Sequence, residues 1–201
     1  MGHPKAWLPF GPELMLPRIV RILSEVAGPV VVVAARDQAL PALPAGIDIL
    51  RDLQDDCGPL AGLATGLSAL AGRCTTAYVT GCDVPCLKPE FVRHVVESLG
   101  AAEIAMPCDN ERSYPLAAAY QVSLTARVQA LLKQGERRLL NLVQVCRCHK
   151  IDVADLRAID PELQSLWNLN TPAEYTAALC AAGFAKSERA PGARARWVDE
   201  V

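Results

Sequence analysis

The 201-residue sequence predicts an α/β protein with a mostly parallel β-sheet that is covered by helices on both faces. Short apolar runs, typical of buried strands, alternate with segments whose apolar residues recur at helical spacing. Glycine and proline separate many of these segments. Because a chain of this length commonly forms one unit, we expect one domain over residues 1–183 and a flexible tail over 184–201.

The first two elements illustrate the alternation. Leu16, Ile19, Val20 and Leu23 would share one face of a helix over 12–26. The run 30–35 is rich in β-branched residues and too short for a helix, so it predicts a buried parallel strand. The remaining predicted elements are, in chain order, strand 47–50, helix 58–70, strand 77–80, helix 89–99, strands 104–106 and 116–120, helices 124–133 and 138–143, strand 146–153, and helix 172–182 capped by Thr171.

The composition excludes several classes of protein. Hydrophobic residues make up 51% and charged residues 21%, as in globular domains. The formal net charge of −2 does not indicate the positively charged surface that binds nucleic acid. The longest apolar runs are far shorter than the ~18 to 20 residues that span a bilayer, and no signal peptide is visible. We therefore expect neither a nucleic-acid nor a membrane partner, and a cytoplasmic location.

The eight cysteines lack a paired C-x-x-C framework, so we interpret most of them as buried thiols. Cys146, Cys148 and His149 could form half of a metal site. The segment alternates like a strand, however, which would place the two cysteines on one face and the histidine on the other. This pattern favours core thiols.

Asp83 is the first candidate site residue. The apolar run 77–80 ends in a glycine, and the segment TGCDVP then presents this carboxylate. Open α/β sheets bind ligands in the crevice at the carboxyl ends of their strands. Magnesium needs only one or two protein carboxylates there when substrate phosphates supply further oxygens. The alternative is an aspartate that only caps the following turn or helix.

Two further features are ambiguous when taken singly. GPLAGL, residues 58–63, places small residues at a helix start, where backbone can approach a ligand, but it equally predicts tight packing on the sheet. Lys5 could reach a phosphate or could simply face water.

Together and in order, several segments resemble one family, the molybdenum cofactor guanylyltransferases. They cover nearly the whole chain, from Met1 to Tyr175, and they are MGHPKAWLPFG, Asp52 shortly before GPLAGL, TGCDVP, YPLAAAY, KQGERRL and NLNTPAEY. GPLAG, the Asp-x-Pro at Asp83 and NxNTP are moderately specific each, and strong as an ordered set.

The resemblance implies a Rossmann-like, three-layer nucleotidyltransferase that joins GMP from GTP to molybdopterin and releases pyrophosphate. It implies Mg²⁺ as cofactor, held by Asp83, and GTP, molybdopterin and molybdoenzymes or other cofactor-synthesis proteins as partners. By position, Lys5 matches a phosphate-binding lysine, Asp52 a nucleotide-binding aspartate, and Asp83 the metal aspartate that also touches the nucleotide. The resemblance makes Lys5 and Asp83 the catalytic residues, and Asn168 and Asn170 match the asparagines on the pterin side.

The family pattern opens with a hydrophobic strand and a glycine-rich LAGGxSxRMGxxK loop, and this sequence starts at the Met-Gly of that pattern. The strand belongs near the centre of the sheet, and the loop supplies N–H groups to guanine and phosphates. We therefore expect the chain expressed from Met1 to be less stable and nearly inactive, and an upstream extension to restore both properties.

Two alternatives remain open. A cytidylyltransferase of the same cofactor would share the fold and the metal site, although KQGERRL and YPLAAAY look more like the guanine enzyme. A non-catalytic relative would recognise molybdopterin or a molybdoenzyme without transferring a nucleotide.

Overall fold

The computed structural model describes residues 4–52 and 58–185. The predicted tail 184–201 lies outside these residues except for Phe184 and Ala185. The ring of Phe184 packs edge-on against Phe10, with 5.5 Å between the ring centroids.

The predicted alternation of strands and helices is confirmed over the described residues, with ends shifted by a few positions. In chain order the structure contains a 3₁₀ turn Lys5–Trp7, β1 (Pro9–Phe10), β2 (Glu13–Leu14), α1 (Met15–Ser24), β3 (Val31–Ala35), β4 (Asp48–Asp52), α2 (Gly58–Leu70), β5 (Thr76–Thr80), α3 (Pro89–Glu97), β6 (Ile104–Cys108), β7 (Ala117–Gln121), a 3₁₀ turn Val122–Leu124, α4 (Thr125–Lys133), α5 (Leu139–Gln144), β8 (Cys148–Asp152), α6 (Val153–Leu156), a 3₁₀ turn Gln164–Leu166 and α7 (Pro172–Ala181). None of the helices in the described part of the chain is long and apolar enough to cross a membrane.

The largest difference at an element boundary concerns the predicted helix over 12–26. Its first residues instead include β2, which pairs with the preceding β1 in a hairpin, and α1 begins only at Met15. Gly11 turns the chain with a φ of 64°, a left-handed conformation that glycine adopts without steric cost. Two-residue strands carry no periodicity, so the sequence pattern could not show this hairpin.

The strands form a mixed sheet system, which corrects the prediction of a mostly parallel sheet. β3 and β4 pair in parallel, and four further strands follow the order β5-β7-β6-β8. Within that sheet β6 and β8 are parallel, whereas β7 runs antiparallel to both β5 and β6. The reason is the connection 109–116 between β6 and β7, which is too short for the helical crossover that a parallel pair requires.

The three-layer arrangement follows from the alternation of side chains along β7. Ala118 and Tyr120 pack in a cluster with residues of α2, α4 and α5. Ala117 and Ala119 point to the opposite face and pack with residues of α1, α3 and α6. Helices therefore cover both faces of the sheet, as the sequence predicts.

Candidate active site

Asp83 lies beyond the carboxyl end of β5, in the loop that leads to α3. Its Oδ2 atom accepts a hydrogen bond from Nζ of Lys5 at 2.8 Å. The residue that precedes α3 as its N-cap is Lys88, so Asp83 does not cap this helix. The sequence thus predicts the position of Asp83 correctly, at a strand end that faces other segments of the chain.

Lys5 joins this carboxylate to the segment before α7. Its Nζ atom also donates to Oδ1 of Asn170, at 2.6 Å. The lysine side chain is 31% exposed and that of Asp83 is 20% exposed, so the ion pair is partly open to solvent. Lys5 therefore does not simply face water, because two oxygen atoms from distant segments converge on its ammonium group.

Gly81 leaves the space that the Asp83 carboxylate occupies. A Cβ atom at position 81 would collide with Oδ1 of Asp83. Gly81 thus lets the Asp83 carboxylate occupy its observed position. Its own backbone does not have the positive φ that favours glycine elsewhere in the chain.

Asn170 is held by the start of α7. The Glu174 carboxylate accepts from the backbone N–H groups of Asn170 and Thr171, and the Thr171 hydroxyl accepts from the N–H of Glu174. This capping box satisfies donors that the first turn of a helix otherwise leaves free. The same bonds lower the pKa of Glu174 and fix the backbone from which the Asn170 side chain reaches Lys5.

The backbone of the segment 168–170 is also hydrogen-bonded to the backbone of Asp83. The N–H of Leu169 donates to the carbonyl of Asp83 at 2.9 Å, and the Leu169 side chain is buried. Asn168 is exposed, and its carbonyl accepts from the amide group of Asn170 at 3.4 Å. Lys5, Asp83 and Asn170 together form what we call the Lys5 cluster. The structure therefore places Asn168 beside the Lys5 cluster, while Asn170 makes the contact with Lys5.

A buried ion pair fixes the chain that leads into this segment. Asp160 is fully buried, and its carboxylate lies 2.8 Å from Nζ of Lys88 and accepts from the N–H of Ser165. The Ser165 hydroxyl in turn accepts from the N–H of Lys88. Burial opposes the charged form of Asp160, but the hydrogen bonds from Lys88 and Ser165 outweigh it and hold its pKa below the usual range.

Asp52 occupies a different sheet. It is the last residue of β4 and pairs with Ala35 of β3, at the carboxyl end of both strands. The segment between Asp52 and α2, residues 53–57, lies outside the described residues. The structure therefore brings Lys5, Asp83 and Asn170 into direct contact and leaves the predicted nucleotide-binding role of Asp52 as a prediction.

The GPLAGL helix start meets the KQGERRL segment. The N–H of Leu60 donates to the carbonyl of Arg137 at 3.3 Å, and a Cβ atom on Gly58 would lie 3.0 Å from the same oxygen. Gly58 also has a φ of 66°, where glycine is favoured. The GPLAGL and KQGERRL segments, which are far apart in the sequence, thus pack against each other at the start of α2.

The C-x-C-H segment shows no sign of a metal site. Cys146 and Cys148 both pack against the cluster around α2 and α4, whereas Nδ1 of His149 lies 2.6 Å from the carbonyl of Ser98. Over residues 4–52 and 58–185 no group of three or more histidine, cysteine, aspartate or glutamate side chains could hold a metal. Both cysteines contact the core but are only half-buried, and among the described cysteines only Cys86 is buried, so the prediction of mostly buried thiols is wrong.

A three-layer α/β fold with a lysine, a carboxylate and an amide gathered beyond a strand's carboxyl end is typical of proteins that bind ligands at that edge of the sheet. Residues 1–150 match the MobA-like NTP transferase domain, and the chain belongs to this family of nucleotidyltransferases.

Curated relatives agree with the resemblance seen in the sequence. A probable molybdenum cofactor guanylyltransferase of Mycobacterium tuberculosis H37Rv is 36% identical over 166 residues, covering 79% of this chain and 80% of the relative. A protein of the same description from Pelotomaculum thermopropionicum is 27% identical over 179 residues, covering 89% and 85%.

Solved structures confirm the Rossmann-like fold. Molybdopterin-guanine dinucleotide biosynthesis protein A from Archaeoglobus fulgidus superposes with a TM-score of 0.74 at 22% identity, covering 90% of this chain and 92% of the other. The 2-C-methyl-D-erythritol 4-phosphate cytidylyltransferase from Thermus thermophilus gives a TM-score of 0.69 at 17% identity, covering 90% and 94%.

Sequence reasoning missed the residues that hold the cluster in place. Glu174 was recognisable, because its spacing from Thr171 is that of a capping box. Asp160, Lys88 and Ser165 gave no signal, because their partners lie in separate segments and become neighbours only in the folded chain.

We expect Gly81→Ala to lower the rate of nucleotidyl transfer by roughly 10- to 100-fold, because the added methyl group displaces the Asp83 carboxylate. The thermal midpoint should change little, since a side-chain end rather than backbone has to move. Gly62→Ala is the matched control, because a Cβ atom there meets nothing within 4 Å. Equal rates in both variants would show that the position of the carboxylate does not matter.

Asp160→Asn should destabilise the fold by about 1–3 kcal/mol at pH 7, because it breaks a buried, hydrogen-bonded ion pair whose lysine is partly exposed. The folded-state pKa of Asp160 is depressed, so its contribution is present above the unfolded value of about 3.9 and is lost as the pH falls through the folded value. Urea unfolding of the wild type and the variant should therefore give a difference that shrinks below about pH 4.

The exposed Asp155 supplies the control for this measurement, as Asp155→Asn. A difference for Asp160→Asn that stays constant between pH 7 and pH 3 would contradict the role of its charge.

Proposed function

We propose that the chain transfers GMP from GTP to molybdopterin, forming the guanine dinucleotide form of the cofactor and releasing pyrophosphate. The observation that carries this proposal is the convergence of Lys5, Asp83 and Asn170 beyond the carboxyl end of β5. The names of the curated relatives supply the substrate class. Asp52 and the Lys5 cluster would bind the nucleotide, and Asn168 and Asn170 would hold the pterin side.

Charge screening is the main task of such a site. A terminal phosphate oxygen of molybdopterin attacks the α-phosphorus of GTP and forms a new P–O bond. The bond between the α-phosphorus and the oxygen that bridges to the β-phosphate breaks, and pyrophosphate leaves with the electron pair. Both reacting groups are anionic, so a fixed cation has to lower their repulsion. The ammonium group of Lys5 would supply it, and no protein nucleophile is required.

The oxygen atoms around Lys5 suit Mg²⁺. Asp83 Oδ2 and Asn170 Oδ1 already converge on one cationic group, and both side chains retain access to solvent. A single carboxylate provides too few ligands for metals that need several protein side chains, whereas Mg²⁺ is commonly held by one or two carboxylates together with substrate phosphates. Asp83 would hold the ion, with Asn170 beside it. When bound, Mg²⁺ would neutralise charge on the phosphate oxygens.

Lys5 would change partners when substrate binds. Its ion pair with Asp83 is partly exposed, and such pairs contribute only about 0–1 kcal/mol to stability. A phosphate group can therefore take over the ammonium group at little cost. The hydrogen bond from Leu169 to the backbone of Asp83 remains, so the loop keeps its position while the side chains exchange partners.

The substrate assignment is tested by measuring pyrophosphate release with molybdopterin and either GTP or CTP, in the 201-residue chain and in a form extended ahead of Met1. GTP-dependent release supports the proposal. Release with CTP alone would establish the cytidylyltransferase alternative, and molybdopterin binding without release in either form would establish a non-catalytic relative.

Asp83→Ala should abolish nucleotidyl transfer while the fold stays intact, because this loop carboxylate contributes to ion binding more than to packing. Pyrophosphate release at varied Mg²⁺ concentration, together with a thermal midpoint, provides the measurement. Asp155→Ala serves as the control at an exposed position. Turnover close to that of the wild type at ordinary Mg²⁺ concentration would remove Asp83 from the metal role.

Lys5→Ala should mainly weaken the use of GTP, since it removes one positive charge that faces phosphates. We expect a higher KM for GTP and a transfer rate reduced by about 10²–10³-fold, the size of effect seen when one electrostatic contact to the reacting group is lost. Lys150→Ala, at an exposed position of β8, should leave both parameters unchanged. The same GTP affinity and turnover in both variants would contradict the phosphate-binding role.

A further inference from the structure

A second cluster of charged and nucleophilic side chains lies where α4 meets the C-x-C-H segment. Nη1 of Arg127, on α4, donates to Sγ of Cys146 at 3.1 Å. The same nitrogen donates to Oε1 of Glu103 at 3.0 Å, and Oε2 of this carboxylate lies 3.8 Å from Nε of Arg147. One thiol, one carboxylate and two guanidinium groups are thus gathered here.

This second cluster lies at the other edge of the sheet from the Lys5 cluster. Cys146 precedes β8, which runs parallel to β6, and both β5 and β6 run antiparallel to β7. β5, β6 and β8 therefore point the same way, so Cys146 lies at the amino end of β8 whereas Asp83 lies beyond the carboxyl end of β5. Chemistry at this thiol would not take place in the candidate active site.

Cys146 has the surroundings of a reactive thiol. It is half-buried and lies between two exposed residues, Val145 and Arg147. Reactive cysteines typically lie beside cationic side chains in partly exposed positions, because the thiolate is the nucleophile. Arg127 supplies the cation. Two guanidinium groups against one carboxylate leave the cluster positively charged, which favours an anionic reactant.

Cys148 places a second thiol within reach of Cys146. Both cysteines pack against the same core cluster, and two residues of chain span at most about 7 Å between their Cα atoms. Disulfides usually join Cα atoms that are about 4.4–6.8 Å apart, so the two ranges overlap. Burial raises the pKa of Cys148, which keeps this second thiol protonated while Cys146 faces a guanidinium group.

We propose that Cys146 is a modification site for a small anionic disulfide, with Cys148 as the resolving thiol. In the first step the Cys146 thiolate attacks one sulfur of the reactant, the S–S bond of the reactant breaks, and one half leaves as a thiolate that takes up the proton lost from Cys146. In the second step Cys148 loses its proton and attacks the Cys146 sulfur, and the other half leaves and takes up that proton. Two protein thiols are oxidised to one disulfide, and one small disulfide is reduced to two thiols.

Glutathione disulfide is the probe, because its carboxylates carry the required negative charge. The 201-residue chain is incubated with it at pH 7, and peptide mass spectrometry locates the modified cysteines. We expect Cys146 to react about tenfold or more faster than Cys180 of α7, which is also half-buried. A rate at Cys146 no greater than that at Cys180 would overturn the proposal. Cystamine, a cationic disulfide, should show a smaller preference for Cys146, and an equal preference would overturn the anionic class of reactant.

The role of the cation is tested by Arg127→Gln, which should slow the modification of Cys146 about tenfold and leave Cys180 unchanged. Arg127→Lys should restore most of the rate, because it keeps the positive charge. Arg93→Gln is the charge-matched control, since Arg93 is exposed on α3, on the opposite face of the sheet. Loosened packing alone would expose the thiol, so an equal or higher rate in Arg127→Gln would overturn the role of Arg127.

Cys148→Ser separates the two steps. This variant should retain one bound glutathione, whereas the wild type should release it and end with two fewer free thiols. A glutathione adduct that persists equally in both proteins would overturn the resolving role of Cys148. Cys146→Ser should leave Cys148 unmodified, and modification of Cys148 at the wild-type rate of Cys146 would overturn the order of attack.

Discussion

The contact of Lys5 with Asp83 and Asn170 determines how the candidate active site is assembled. The ammonium group binds oxygen atoms that lie 78 and 165 positions further along the chain. It thereby connects the start of the described chain, the loop after β5 and the segment before α7. A separate interaction holds each of these segments. Ala6 is buried, the backbone carbonyl of Asp83 accepts a hydrogen bond from Leu169, and Asn170 precedes the capping box of α7. The cluster depends on all three supports together.

The supports and the functional contacts differ in strength. The Asp160 carboxylate is fully buried although its partner Lys88 is partly exposed, whereas both members of the Lys5–Asp83 pair are partly exposed. Loss of Lys88 would therefore leave a buried carboxylate without its partner, while Asp83 keeps access to solvent when Lys5 moves away. The buried carboxylate of Asp160 thus anchors the 160–170 segment, and the Lys5 contact lies in a more exposed position beside it.

The sequence predicts most of the helices and strands, and it marks Lys5, Asp83 and Asn170, because each has a local signal such as a strand end, a helix start or a family motif. It did not predict the direction of β7, because pairing depends on the short 109–116 connection and on partners remote in the chain. The frame around Asp160 was missed for a related reason, since a buried aspartate and a surface aspartate look alike until the fold brings Lys88 and Ser165 to one of them.

β5 bears on the same site, and among the described residues it pairs with β7 alone. The residues of β5 line a cavity, and the loop that carries Asp83 follows the carboxyl end of this strand, so the position of the carboxylate depends on the position of β5. Positioning errors of about 1 Å can cost two orders of magnitude in rate. A strand paired on one side only, with a cavity on the other, is a weaker base for that precision than a central strand. Stability of the sheet and geometry of the Lys5 cluster are therefore coupled through β5.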